Sequence, residues 1–595
     1  MNVLLLFILF ACLSSARAEC INPNPLDPTT AVVSDNGYNS WKLSAGVNYN
    51  HQIYVPTASD PCVGISFHWS ILGSSIKIAV ASFIGTNLVE SGGWVGLGFS
   101  ETGGMSGADI VYYETSTNSL VDAHVLDGNA KPIRDSQQDW ALINATMSED
   151  GYLIFEAQRL LDTGDRDDWP FVDDSHVYVS DHRMISAWGS SSSIRYHGNN
   201  RAKSIVQLFS SDTQPAGDGY LVFQKHMQEQ ATGTMMLALE DYTLPTQRTT
   251  YHRECYSYND LTSSLIGVPT SDIYIIGVEV VYPEEAAKYF HHMLAYGSTT
   301  SINPNPDTCS YVSFPWYGWA PGQDYMHLPD GTGFKFSNSD PTAFNALEID
   351  YHWDNRDSDS GITLSGVVVQ IYYTTETVEN ELGLVTTGDP LLQLEDETLG
   401  NGPVRFDFEC PGRCSQNNIP EAGITIVQEG HHMHEKGKRM TSEVIRDGKV
   451  IHRAVTDYWD FEQSGLNLVR QEPYTVKRGD SFSVTCYYDS NENTVFGLGS
   501  QDEMCMNFIW YYPKIPNFAV CGPGVPWYLS CNGSFEQKSL SEDTEYNRIF
   551  GTDFGTDSNV GGDDDHDDDT TPSSGTIVMK RYWTICLVAC ILFCV

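Results

Sequence analysis

From about Asn36 to Ser210 the chain reads as a series of short strands, and this pattern restricts its fold more than any other feature. Ile76-Lys77-Ile78-Ala79-Val80-Ala81 alternates with period two ahead of Trp94-Val95-Gly96-Leu97-Gly98-Phe99, and Gly, Asp, Asn and Ser clusters separate the runs. Strand side chains point alternately to opposite faces, so each such run buries one face. No long 3.6-residue pattern competes, and an antiparallel sandwich is the expected packing. Asp272 to Val281, Gly366 to Tyr373 and Ser481 to Tyr488 are further strand runs. At 595 residues the chain is too long for one core. The expectation is an all-β protein of several domains.

The 77 acidic against 33 basic residues give a net charge of -44, which excludes nucleic acid or an anionic membrane surface as the main partner. The ends speak for the secretory pathway. Leu4 to Phe10 is apolar and Ala16-Arg17-Ala18 suits signal peptidase, so residues 1–18 read as a signal peptide. At the other end, Ser573-Ser574-Gly575, a short spacer and the apolar Thr584 to Val595 read as a membrane-anchoring signal in 576–595. That signal is either of the lipid (GPI) type or a short tail anchor. The run Asp563-Asp564-Asp565-His566-Asp567-Asp568-Asp569 repels itself and has no apolar face, so 541–575 reads as a disordered stalk. Without Cys12, Cys586, Cys590 and Cys594, ten cysteines remain, the even number a disulfide framework needs, and Asn144 and Asn532 head glycosylation sequons.

Chemistry concentrates at Gly430-His431-His432-Met433-His434, with Glu503-Met504-Cys505 downstream and a second pair, His291-His292-Met293, upstream. Imidazole with a thioether suits copper, because soft sulfur favours Cu(I) and nitrogen holds Cu(II). Strand residues two apart share a face, so His432 and His434 can grip one ion from one strand. Met504 would add a third ligand, and His431 and Met433 would face away. Solvated strand-end histidines are the plain alternative. There is no Gly-x-Ser-x-Gly elbow, P-loop or dinucleotide fingerprint. The Glu-rich stretch from Glu376 to Glu397 reads as a solvated connection, with the lobes joined near Thr377 to Leu392.

Two resemblances follow. Trp94 to Ser100, Gly104-Met105-Ser106-Gly107-Ala108-Asp109-Ile110-Val111, Gln137-Gln138-Asp139-Trp140 and Tyr196-His197-Gly198-Asn199-Asn200-Arg201 resemble the DOMON domain, a β-sandwich, over 36–210. Some DOMON domains bind b-type haem through Met and His; Met105 and His197 stand where those ligands would be, or else are core packing and a turn residue. After a linker, 211–241, the chain resembles the copper type II, ascorbate-dependent monooxygenases of the dopamine β-monooxygenase-like branch. The resemblance rests on Thr249-Thr250-Tyr251 with Cys255, Phe290-His291-His292-Met293, and Cys309 to Trp316 with Gly318-Trp319-Ala320-Pro321-Gly322. It continues through Leu347-Glu348-Ile349-Asp350-Tyr351-His352, Asp359-Ser360-Gly361, Cys410-x3-Cys414, His432-x-His434, Asp457-Tyr458-Trp459-Asp460-Phe461 and Asp502 to Pro513.

The resemblance implies two jelly-roll-like β-sandwich lobes, at 242–385 and 386–540, and two copper ions. His432, His434 and Met504 would hold the copper that meets dioxygen and substrate. His291, His292 and a third ligand would hold the copper that passes electrons from ascorbate. The substrate would be a small organic molecule, such as a phenethylamine-like amine. The third ligand departs from the family pattern: Asp350 falls on the expected histidine position, and His352 lies two residues on. Three outcomes stay open: a shifted His352, an Asp350 oxygen, or loss of this copper. By the family pattern Cys486 pairs with Cys505, and Cys410 and Cys414 pair with Cys521 and Cys531. Ser298 stands where a cysteine is expected, which leaves Cys255 with Cys309 and Cys20 with Cys62. The rival function is a cell-surface copper-, haem- or carbohydrate-binding protein.

Overall fold

The computed structural model describes residues 49–540, apart from 58–62, 85–91, 102, 127–129, 148–150, 172–181, 210–218, 259–260, 262–271, 300–313, 322–323, 396, 401, 462–466, 470–472, 491–493, 517 and 526–530. The signal peptide, stalk and anchoring signal fall outside these residues, as do Cys20, Cys62 and Cys309. The described residues are all-β with three short helices, and no described helix is long and apolar enough to cross a membrane.

Three sandwiches follow one another. In the first, a five-stranded sheet (His51–Pro56, Gly64–Leu72, Ser75–Phe83, Tyr152–Leu160, Ala141–Met147 in spatial order) faces a six-stranded one. The second sheet runs Arg201–Val206, His182–Gly189, Trp94–Phe99, Asp109–Glu114, Ser119–His124, Ile133–Arg134. The period-two apolar residues Ile76, Ile78, Val80, Val95, Leu97 and Phe99 fill the space between them. In the second sandwich, the four strands Thr249–Ser257, Ala346–Asp354, Phe290–Ser298 and Phe314–Trp319 form one sheet, and Ile273–Val281 is central in the other. The third has Met506–Tyr512 between Ile424–His432 and Gly383–Gly388 in one sheet, and Ser481–Ser490 between Gly437–Arg446 and Gly402–Cys410 in the other.

Two connections expected from the sequence are structured instead. Residues taken as linker form a helix, Gly219–Gln230, and a strand, Gly233–Ala238, that pairs with Val368–Thr374. Met235, Leu237 and Leu239 alternate and bury on the second sandwich, which outweighs the polar residues around them. Within the Glu-rich stretch, Gly383–Gly388 is a fully buried strand of the third sandwich, paired with Met506–Tyr512. A short apolar run between acidic flanks suffices for a buried strand.

The second and third sandwiches share a core. Leu384, Val427, Phe508 and Trp510 of the third belong to the apolar cluster of the second, and Trp510 Nε1 donates to the Trp316 carbonyl at 3.1 Å. Apolar surface buried at about 25 cal/mol per Å2 fixes these two sandwiches against each other.

Candidate metal centre

The strand Ala346–Asp354 lies between Thr249–Ser257 and Phe290–Ser298, and its register sorts the candidate ligands. His352 sits opposite His292 on one side and Tyr251 on the other; Asp350 sits opposite Leu294 and Arg253. Register slips between Phe290 and His292, so one residue is extra there. Such a bulge re-aims side chains, and here it lets the consecutive His291 and His292 approach the same point. His291 Nδ1 is 2.8 Å from His292 Nδ1, and His352 Nδ1 is 3.2 Å from the same atom. One nitrogen from each of His291, His292 and His352 lies within 4.8 Å of the others. Metal–imidazole bonds of about 2.0–2.1 Å put ligand nitrogens roughly 3–4 Å apart, so these three fit one ion. Asp350 instead pairs with Arg253 Nη2 at 2.7 Å.

In the third sandwich the strand Ile424–His432 ends at His432, opposite Met506. His434 therefore lies just past the strand and not on it, a correction to the single-strand grip. Its Nδ1 donates to the Asp502 carbonyl at 2.9 Å, while its Nε2 is buried without a hydrogen-bond partner among the described residues and is the nitrogen left for a metal. The His432 and His434 rings are 5.1 Å apart, nearly perpendicular. Glu503, wholly buried, accepts from the backbone N–H of His434 at 3.0 Å, Lys436 at 2.5 Å and Met504 at 3.4 Å. One carboxyl thus holds the turn carrying His434 against the segment carrying Met504. Burial raises that carboxyl to about 8, against the lowering pull of the three N–H groups. Cys486–Cys505 locks the same segment, with Cα atoms 6.0 Å apart.

The neighbours of His432 lie on the far face. His431 meets Thr456 Oγ1 and Ser442 Oγ at 2.9 and 3.1 Å, and Met433 packs with Met440, Trp459 and Phe496. Below His431, Glu429 receives Ser442, Tyr474 and Asn507. Burial would raise Glu429; hydrogen bonds from His452, Ser442 and Asn507 overcome it and bring the carboxyl down to about 2. Cys410–Cys521 and Cys414–Cys531 close beside this core. Cys255 is also disulfide-bonded.

The two histidine sets meet. The His292 ring lies 5.8 Å from that of His432 and 6.4 Å from that of His434. Phe461 touches both sets, 4.4 Å from His291 and 5.6 Å from His434. Ser500, from the third sandwich, reaches His352 Nε2 at 3.2 Å. Tyr251 stacks on His352 at 4.6 Å and donates to the Leu498 carbonyl, and Arg248 bridges to Glu435 at 2.7 Å. Burial, then the charge of neighbouring imidazoles, depresses His291 to about 3; burial holds His434 near 4. His292, His352 and His432 fall well below the ordinary range for the same first cause, burial. All five are neutral at physiological pH, with lone pairs available to a cation. Sequence reasoning missed Glu503, Ser500 and Phe461 as parts of this centre. Phe461 and Glu503 each carried a signal, their places in the Asp457 to Phe461 and Asp502 to Pro513 motifs, and Ser500 carried none.

In the first sandwich Met105 packs against Ala108, Ile110, Tyr112 and Val121. His197 lies in a turn, its Nδ1 3.0 Å from the Gly198 carbonyl and its ring tilted on Tyr196. The loop before Asp109 docks on the third sandwich: Glu101 accepts the Asp457 N–H at 3.0 Å, and Gly107 lies against the Tyr458 ring, with no room for a Cβ.

Fold and site define an all-β protein of three sandwiches with imidazoles gathered between the second and third, in an arrangement that can hold metal. The chain matches the DOMON domain over residues 63–180. It matches the copper type II ascorbate-dependent monooxygenase N-terminal domain over 235–359 and the C-terminal domain over 398–532. It belongs to that monooxygenase family, in the dopamine β-monooxygenase-like branch with an N-terminal DOMON domain. Human DBH-like monooxygenase protein 1 is 25% identical over 79% of this chain and 74% of its own length. Rat dopamine beta-hydroxylase is 26% identical over 70% of this chain and 66% of its own. The cytochrome domain of Myriococcum thermophilum cellobiose dehydrogenase covers 29% of the chain at 10% identity with a TM-score of 0.20, too slight a likeness to argue from.

Proposed function

We propose that the protein is a copper- and ascorbate-dependent monooxygenase that hydroxylates a C–H bond of a small organic substrate with dioxygen. The observation that carries this reading is the meeting of two neutral, largely buried histidine sets between the second and third sandwiches. His291, His292 and His352 would hold one copper, and His432, His434 and Met504 the other. Bound copper would supply one-electron redox and dioxygen chemistry, with the Met504 thioether favouring the reduced ion. The chain's own residues orient and enclose. Asp502 fixes the His434 tautomer and leaves Nε2 as the nitrogen for an ion, and Tyr251 and Ser500 hold the His352 ring. Phe461 fills the space between the sets and keeps water from it. Phenethylamine-like amines are the first substrates to try, and a secreted, membrane-tethered location accords with the ends of the sequence. Met105 packs on an apolar cluster and His197 lies in a turn, and haem has no part in this reading.

Copper analysis of the purified chain with an oxygen electrode tests the proposal. Two coppers per chain and ascorbate-driven oxygen uptake are expected. One copper with no uptake would leave the rival reading, a surface copper-binding protein.

A further inference from the structure

The strand Ile424–His432 carries a bulge a few residues short of its histidines, and the bulge decides which of them meets the second sandwich. Against Met506–Tyr512 its register slips between Ile426 and Gln428, so Val427 is the extra residue. Ile424 and Ile426 pack inside the third sandwich. Val427 lies in the core shared with the second sandwich, and Gln428 faces the same way, its Nε2 3.6 Å from Met326 Sδ. Two consecutive residues thus share a face, and those beyond them are turned over relative to an unbulged strand. Glu429 and His431 therefore point inward, and His432 points to His292. Without the slip, His431 and Met433 would face the second sandwich, and these too are a pair that suits copper.

The inward side chains past the bulge are polar and buried, and one network matches them. Glu429 Oε2 accepts from Ser442 Oγ at 2.6 Å and from Asn507 Nδ2 at 2.7 Å. Its Oε1 accepts from the Tyr474 hydroxyl at 2.8 Å, and His452 Nε2 lies 3.4 Å from the same oxygen. Ser442 has given its one proton to Glu429, so its oxygen accepts from His431 Nε2 at 3.1 Å. His431 Nδ1 then accepts from the Thr456 hydroxyl at 2.9 Å. Ser442 lies on Gly437–Arg446, and His452 and Thr456 lie on Lys449–Thr456, all in the opposing sheet. Asn507 and Tyr474 stand on the strands paired with Ile424–His432 itself. Moving the bulge past Glu429 would withdraw the carboxylate from these donors and leave them buried without an acceptor.

We propose that Glu429, with Ser442 and Thr456, is a register lock: it holds the bulge at Val427 and so selects His432 and His434, over His431 and Met433, as the side chains presented to the second sandwich. All three are positioning residues, since they lie on the inward side of the strand and act through the facing of its end. The consequence for copper rests on the ligand assignment proposed above. The lock itself rests on the bulge and the network alone.

The full chain carrying Glu429→Leu, Glu429→Gln, Ser442→Ala or Thr456→Val would be compared with the parent, first without metal. Hydrogen exchange over residues 424–434 should quicken roughly tenfold in Glu429→Leu and Ser442→Ala, and less in Thr456→Val, with residues 346–354 unchanged. Titration with copper against a competing chelator should then show the second copper held roughly 10–100-fold more weakly and the first as in the parent. Glu429→Gln keeps an acceptor and should recover most of both. Selection is read from stoichiometry: His432→Ala alone leaves one copper per chain, and combined with Glu429→Leu it leaves two, the second now dependent on His431. The proposal is overturned if exchange over 424–434 stays at the parent rate, if Gln serves no better than Leu, or if the double variant stays at one copper. A parent chain with no copper at His432 would sink the ligand assignment, and exchange would still decide the lock. Thr456→Val, closest in shape to the natural residue, keeps the exchange comparison open should Glu429→Leu not fold.

Discussion

The two histidine sets serve one cleft but are held in different ways. His291, His292 and His352 stand on neighbouring strands, where the register Phe290–Ser298 against Ala346–Asp354 and one bulge place them. His432 is the last residue of a strand and His434 lies beyond it, so their positions depend on Glu503, the Asp502 carbonyl and the Cys486–Cys505 bridge. The first set is part of a sheet ladder and the second is tied down by side-chain contacts. The second should therefore be the more sensitive to single changes nearby.

The largest expected effect comes from removing a ligand. His432→Ala should lower bound copper from two to one per chain and bring ascorbate-driven oxygen uptake to background. Two coppers retained by this variant would remove His432 from the ligand set.

Acid should separate the sets next. In the metal-free protein these histidines have folded-state pKa values below the unfolded value of about 6.5, so the unfolded chain binds protons that the folded chain does not. Stability is then full above about pH 6.5 and falls with acid by about 1.4 kcal/mol per pH unit per histidine. The loss levels off near 4 for His434 and near 3 for His291. Denaturant unfolding of the metal-free chain across pH 7 to 4 checks this; a flat profile would contradict the buried neutral state.

Glu503→Ala leaves three buried N–H groups without their acceptor, which should cost about 3–5 kcal/mol and weaken the second copper roughly 10–100-fold. Glu503→Gln keeps an acceptor and should recover part of both. Equal losses at both coppers would show that the sets are not held independently.

The smallest effect belongs to Asp350→Asn. Its partner Arg253 is partly exposed, so loss of the ion pair should cost under about 1 kcal/mol and leave copper content at two. His352→Ala should instead release the first copper. If Asp350→Asn releases copper and His352→Ala does not, the ligand assignment is reversed.

Much of this was open to reading in the chain. Period-two runs such as Ile76 to Ala81 and Ser481 to Tyr488 became strands, the first buried on both faces and the second on one face for much of its length. His431 and Met433 pack away from His432. The helix Gly219–Gln230 escaped notice, although Phe223 and Met227, four apart and both buried, show its inward face.

What sequence alone determined was local: which residues are strand, which histidines recur as a pair, and that soft sulfur lies close behind Glu503. Tertiary structure decided the rest. Which of Asp350 and His352 stands beside His291 and His292 rested on a bulge and on where Arg253 falls across the strand, neither of which residue spacing expresses. The joining of the two sets rested on a core shared by Leu384, Phe508, Trp510 and the second sandwich. Contacts such as His292 with His432 bring together residues far apart in the chain, and only the summed burial of both lobes fixes that distance.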